Sequence, residues 1–108
     1  YNKNDFVFVG DVARAFAAAV DNNIPNGDYN LGTGLSSSVY DVCKIVEGQL
    51  LGGDKRSKKI LHNSNKNETI NFCADMKKTK NILKIACETS LVDGIKSHIK
   101  SIKSDMQI

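Results

Sequence analysis

The chain has 108 residues, 41% of them apolar and 25% charged, the balance of an ordinary globular piece of one domain or less. No apolar run approaches the roughly 18 residues needed to cross a bilayer. The opening Tyr1-Asn2-Lys3-Asn4-Asp5 has no apolar signal region, and a start at Tyr1 just before a strand reads as part of something longer.

Charge is divided unevenly. Residues 1–54 hold 3 basic and 7 acidic side chains, whereas residues 55–108 hold 12 basic and 5 acidic. The lysines of the second half are spread over several predicted helices without interleaved aromatics, and only one Arg accompanies them. That pattern fits a solvated helix surface, and no nucleic-acid partner is expected. Cys43, Cys73 and Cys87 are far apart, and His62 and His98 do not cluster with them. A zinc site needs grouped ligands, so no metal is expected and the cysteines read as buried, reduced thiols of a cytoplasmic protein.

In chain order, Phe6-Val7-Phe8-Val9 is short, apolar and rich in β-formers, which predicts a strand. Gly10-Asp11 breaks it, and Asp11 is placed to cap an alanine-rich helix over Val12 to Val20. Ile24 to Asp28 is a turn and Tyr29-Asn30-Leu31 a second short strand, leading into Gly32-Thr33-Gly34. Ser38-Val39-Tyr40-Asp41 is a capping box. Val39, Val42, Ile45, Val46 and Leu50 follow on one helical face. Residues 51 to 57 are a break, Lys59 to His62 a strand, Asn63 to Thr69 a polar loop and Ile70 to Cys73 another strand. Asp75 is placed to cap a helix carrying Met76, Thr79, Ile82 and Leu83. Ser90 to Asp93 is a second capping box, before Leu91, Ile95, Ile99 and Ile102, and the tail from Ser104 is expected to fray. The result is an α/β chain of short strands and packed helices. Its core is modest, and its alanine-rich helix wants a larger sheet to pack on.

Strand, Gly32-Thr33-Gly34 and capped helix together have the outline of a phosphate-cradling turn, since free N–H groups at a helix start bind anions. A dinucleotide fingerprint needs GxGxxG, and position 37 is Ser. A tight strand-to-helix reversal is the better reading.

Four segments then carry a resemblance. Asn4 to Ala15 resembles the "RDFVYVDDVARA" stretch of the extended short-chain dehydrogenase/reductases, and Gly27 to Gly34 their "YNIGTG" element. Ala74 to Leu83 is similar to "ADISKAKRLL", and Thr89 to Ile95 to the "SLEEGI" start of the last helix. All four run in order over nearly the whole chain. The resemblance implies the carboxy-terminal, Rossmann-type part of an NAD-dependent nucleotide-sugar epimerase or dehydratase, as a single unit over residues 1–108. It further implies NAD or NADP held mainly by an amino-terminal part, a nucleotide-sugar substrate, and a homodimer when full-length. In the family, NAD removes a hydride from the sugar with a Tyr of a Tyr-xxx-Lys pair as base. That apparatus belongs to the amino-terminal half, so no catalytic activity is expected of this stretch alone. The one match here, Tyr40 and Lys44, sits on the capped helix and reads as a coincidence of spacing.

The substrate-binding positions implied by the resemblance are Lys3, Asn4, Phe6, Asn65, Lys66 and Glu68. Asn4 and Asn65 stand where the family has phosphate-binding arginines, so a bidentate cation is replaced by a neutral amide at each. Lys3 and Lys66 adjoin them and offer compensating ammonium groups. Glu68 matches an acidic position that can hydrogen-bond a ribose hydroxyl, and Phe6 an apolar position near the ligand or in the core. Losing both arginines also fits a non-catalytic binding module that kept the fold.

Overall fold

The computed structural model describes residues 2–21, 23–52 and 70–106. Its sheet is minimal. Strand β1 (Lys3–Asn4) pairs antiparallel with β2 (Ser37–Ser38), Lys3 opposite Ser38 and Asn4 opposite Ser37. On its other edge β1 meets a single parallel bridge at Asn71, where Lys3 N donates to Ile70 O and Phe72 N to Lys3 O, both at 2.9 Å. The expected strand Ile70–Cys73 is thus reduced to one bridge. The expected strand at 59–62 and loop at 63–69 lie outside the described residues.

Among the described residues four helices accompany this ribbon: α1 (Val9–Ala19), α2 (Val39–Leu51), α3 (Lys77–Ile82) and α4 (Leu91–Met106). The predicted strand Phe6–Val9 does not form. Residues 6–8 are irregular, and the helix begins at Val9, three residues earlier than expected. Phe8 shows why. A Cβ at Gly94 would lie 3.2 Å from Phe8 Cδ1, so this ring is packed onto the first turn of α4. An apolar run that wedges helices together is unavailable for a ladder. Phe8 is also the helix N-cap, without a side-chain cap, and its carbonyl accepts from Asp11 N (3.0 Å) and Val12 N (3.2 Å). Asp11 is therefore not the cap; it lies inside the first turn and is 2% exposed.

The capping box that opens α2 forms as expected. Asp41 N donates to Ser38 Oγ (3.0 Å), and Ser38 N to Asp41 Oδ2 (2.9 Å). At α4, Asp93 N donates to Ser90 Oγ (3.1 Å). The helix runs to Met106, so the fraying expected from Ser104 to Ile108 is not seen over residues 104–106, and residues 107–108 lie outside the described residues. At α3 the cap position is Met76, and Asp75, one residue further out, accepts from Lys77 N (3.0 Å). α2 packs on α4, with Val42 and Val46 facing Leu91, Ile95 and Ile99 across an apolar hollow of about 380 Å³.

The expected strand Tyr29–Leu31 is also absent. This segment is irregular and is held by side chains of α3. Thr79 Oγ1 donates to Asn30 O, Lys78 Nζ donates to Asp28 O (2.6 Å), and the same ammonium lies 4.6 Å from the Tyr29 ring centre. With its hydrogen bonds made to a helix, the segment has no need of a strand partner.

Among the described residues the buried apolar side chains are Met76 and Leu83 alone. By contrast, Val9, Ala13, Phe16, Ala17 and Val20 fall at helical spacing along one side of α1, and all are exposed. Phe16 is 71% and Val20 79% accessible. No described helix is long and apolar enough to cross a membrane.

Candidate functional site

Asp5 is the centre from which the site is built. Its Oδ1 accepts from Thr33 N (2.8 Å) and Thr33 Oγ1 (2.6 Å). Its Oδ2 accepts from Gly34 N (2.9 Å) and Ala74 N (3.1 Å). One carboxylate thus joins the segment after β1, the glycine turn and the approach to α3. Burial pushes its carboxyl up, but the Thr33 hydroxyl and the N–H groups of Thr33, Ala74 and Gly34 outweigh that and hold it below the usual carboxylate value. Gly32 is required at this junction, because a Cβ there would stand 2.4 Å from Ala74 Cβ and 2.5 Å from Asp5 Oδ2.

The Gly32-Thr33-Gly34 turn therefore does hold an anion, and the anion is the chain's own. Donors aimed at Asp5 are not open to a pyrophosphate, and the approach at Gly32 is already filled. The turn does not fit NAD or NADP. Among the described residues no group of three His, Cys, Asp or Glu side chains could hold a metal ion.

A second knot joins α1 to the chain before α4. Asp11 Oδ2 accepts from Thr89 N (3.2 Å). Arg14 donates to Ala86 O (2.7 Å) and to Glu88 Oε2 (3.0 Å), and lies 3.7 Å from Asp11 Oδ1. Cys87 sits beside it. Burial raises its thiol pKa, and the nearby Asp11 and Asp5 charges push the same way, against weaker help from Arg14 and a Gly32 hydrogen bond. Such a thiol is a poor nucleophile. All three cysteines are free, and Cys73 is exposed while Cys43 and Cys87 are half-buried, so the expectation of three buried thiols is corrected.

The sequence-derived site residues fall in two groups. Lys3 and Asn4 are exposed on β1. The Lys3 charge contributes to lowering the Asp41 carboxyl, after the larger effect of the Ser38 backbone and side-chain hydrogen bonds. Phe6 is half-buried and lines both the apolar hollow and a smaller cleft of about 220 Å³. That cleft also has Thr33, Ser37, Glu88 and Ser90 in its walls, and Ser37 is the strand partner of Asn4. Asn65, Lys66 and Glu68 lie outside the described residues. Ile70, two positions after Glu68, donates to Asn2 Oδ1 (2.9 Å) and accepts from Lys3 N. Tyr40 and Lys44 are neighbours, the ammonium 5.5 Å from the ring centre.

No family model matches the chain. Solved structures do. UDP-glucose 4-epimerase from Thermotoga maritima, determined with UDP-glucose, matches 98% of this chain at 25% identity and a TM-score of 0.79. UDP-glucuronic acid 4-epimerase from Bacillus cereus, in complex with NAD, matches 95% at 25% identity and 0.72. The Bordetella bronchiseptica enzyme WbmF, in complex with NAD+ and UDP, matches 96% at 23% identity and 0.74. The chain covers 33%, 32% and 30% of those proteins respectively. It is a small, helix-rich α/β piece whose structural neighbours are UDP-glucose 4-epimerase and related Rossmann-type, NAD-dependent epimerases, with the fold of about one third of them.

Proposed function

We propose that this chain is the sugar-nucleotide-binding part of an NAD-dependent nucleotide-sugar epimerase or dehydratase, completed by a dinucleotide-binding part. The observation that carries the reading is the match of 98% of the chain, at a TM-score of 0.79, to one third of a UDP-glucose 4-epimerase. The uncovered apolar stripe on α1 supports it, because a dinucleotide-binding part would cover that surface. NAD or NADP, bound on that part, would supply the hydride chemistry. On this chain, Lys3 and Lys66 offer point charges to the diphosphate, and Asn4 and Asn65 offer amides. Glu68 accepts from a ribose hydroxyl, and Phe6 closes the apolar side of the ligand.

A specific observation favours a second reading. Asn4 and Asn65 stand where the resembled family has phosphate-binding arginines, and a neutral amide binds a diphosphate more weakly than a guanidinium. A module that kept the fold and gave up catalysis would show that change.

Calorimetry on the intact protein separates the two. We expect UDP-glucose to bind, and Lys66→Ala and Glu68→Ala each to weaken it about tenfold, the loss of one charge-assisted hydrogen bond. NAD binding should not move. A wild-type protein that binds NAD but no sugar nucleotide supports the second reading. Equal weakening of both ligands, or of neither, refutes the assignment of positions 66 and 68.

A further inference from the structure

The basic side of α4 is used by neither reading. Lys96, Lys100 and Lys103 recur at i, i+4 and i+7, so they share one helix face. They line a concavity of about 470 Å³ with Ile99, Ser104 and Gln49, the last contributed by α2. The walls hold three ammonium groups and no carboxylate, and among the described residues none of the three lysines forms an ion pair. Lys103 lies in the last turn and answers the negative end of the helix dipole. Lys96 and Lys100 lie before that turn, where the dipole effect has faded, and so need another explanation.

We propose that this groove binds a small polyphosphate-bearing molecule. The first and last of the three charges lie seven residue steps apart along the helix, about 10 Å at the helical rise. That length suits a compact chain of two or three phosphates and is short for an extended nucleic-acid strand. Lysine meets phosphate as a flexible point charge, and the Gln49 amide and Ser104 hydroxyl supply neutral donors for the remaining oxygens. An anion in the groove also relieves the mutual repulsion of three like charges.

The probe is tripolyphosphate, titrated into the intact protein by calorimetry at about 50 and about 200 mM salt. Binding tighter than about 1 mM at the lower salt, and weaker at the higher, is expected. Lys96→Gln/Lys100→Gln/Lys103→Gln should weaken it about tenfold or more with an unchanged circular-dichroism melt, and the corresponding triple Arg variant should retain it. The titration is run with UDP-glucose and NAD saturating, which keeps this site distinct from the sugar-nucleotide and dinucleotide sites, and the affinity should be the same as without them. Absence of binding, binding that survives the triple Gln change, or loss on adding UDP-glucose and NAD overturns the proposal. So does tighter binding of a short single-stranded oligonucleotide, which would make the face a nucleic-acid surface.

Discussion

The junction around Asp5 and the outer side of α1 are made of opposite materials. At the junction, Thr33, Gly34 and Ala74 direct four hydrogen bonds onto one carboxylate, and Met76 and Thr79 are buried alongside. The outer side of α1 carries Val9, Phe16 and Val20 at helical spacing, all turned to solvent. A free-standing domain normally does the reverse, burying its large apolar side chains and leaving carboxylates in water. The contrast teaches that internal polar clasps set the local geometry here, while the large apolar side chains of α1 stay in contact with water.

If the clasp carries the fold, damage there should be far costlier than damage on the stripe. The largest effect expected is from Gly32→Ala. Its new methyl would meet Ala74 Cβ and the Asp5 carboxylate, and overpacking combined with a broken clasp should cost about 4 kcal/mol in urea melts of the 108-residue chain. Asp5→Ala comes next, at about 3 kcal/mol, because three backbone N–H groups lose their acceptor. It also carries a pH signature. The Asp5 carboxyl is lowered in the folded chain, so on acidification the unfolded chain takes up its proton first. The stabilisation is then full above about pH 4 and is lost as pH falls through the folded value. Asp41 is lowered in the same sense, so Asp5→Ala should flatten the acid limb of stability without abolishing it. Ser38→Ala removes the cap of α2 and should cost about 1 kcal/mol. Phe16→Ser should be smallest, within about 0.5 kcal/mol in the 108-residue chain, while reducing its self-association. A Phe16→Ser cost equal to that of Asp5→Ala would erase the distinction between the two regions.

What was legible in the sequence follows the same divide. The Ser38 capping box and the Leu91–Ile102 stripe were readable because their partners lie within a few residues. The Phe6–Val9 strand was misread because Phe8 serves the distant Gly94. Asp11 was misread because its acceptor oxygen is spent on Thr89, 78 residues away. Tyr29–Leu31 failed as a strand because α3 side chains hold it. Asp5 was passed over as a site residue, although one signal was present: a turn rich in free N–H groups, lacking the dinucleotide fingerprint, needs some other anion. Lys3, Asn4 and Phe6 adjoin because they follow one another closely in the chain, but periodicity carries no information on which segment a carboxylate will join to which.

Hydroxyl-radical footprinting of Phe16 and Val20 is the most direct test of the whole account. The 108-residue chain alone should be oxidised readily at both positions. The same side chains should be protected once the chain is joined to the proposed dinucleotide-binding part. Equal oxidation in both states would mean that the stripe has no such partner, and the proposed role of this chain would fail with it.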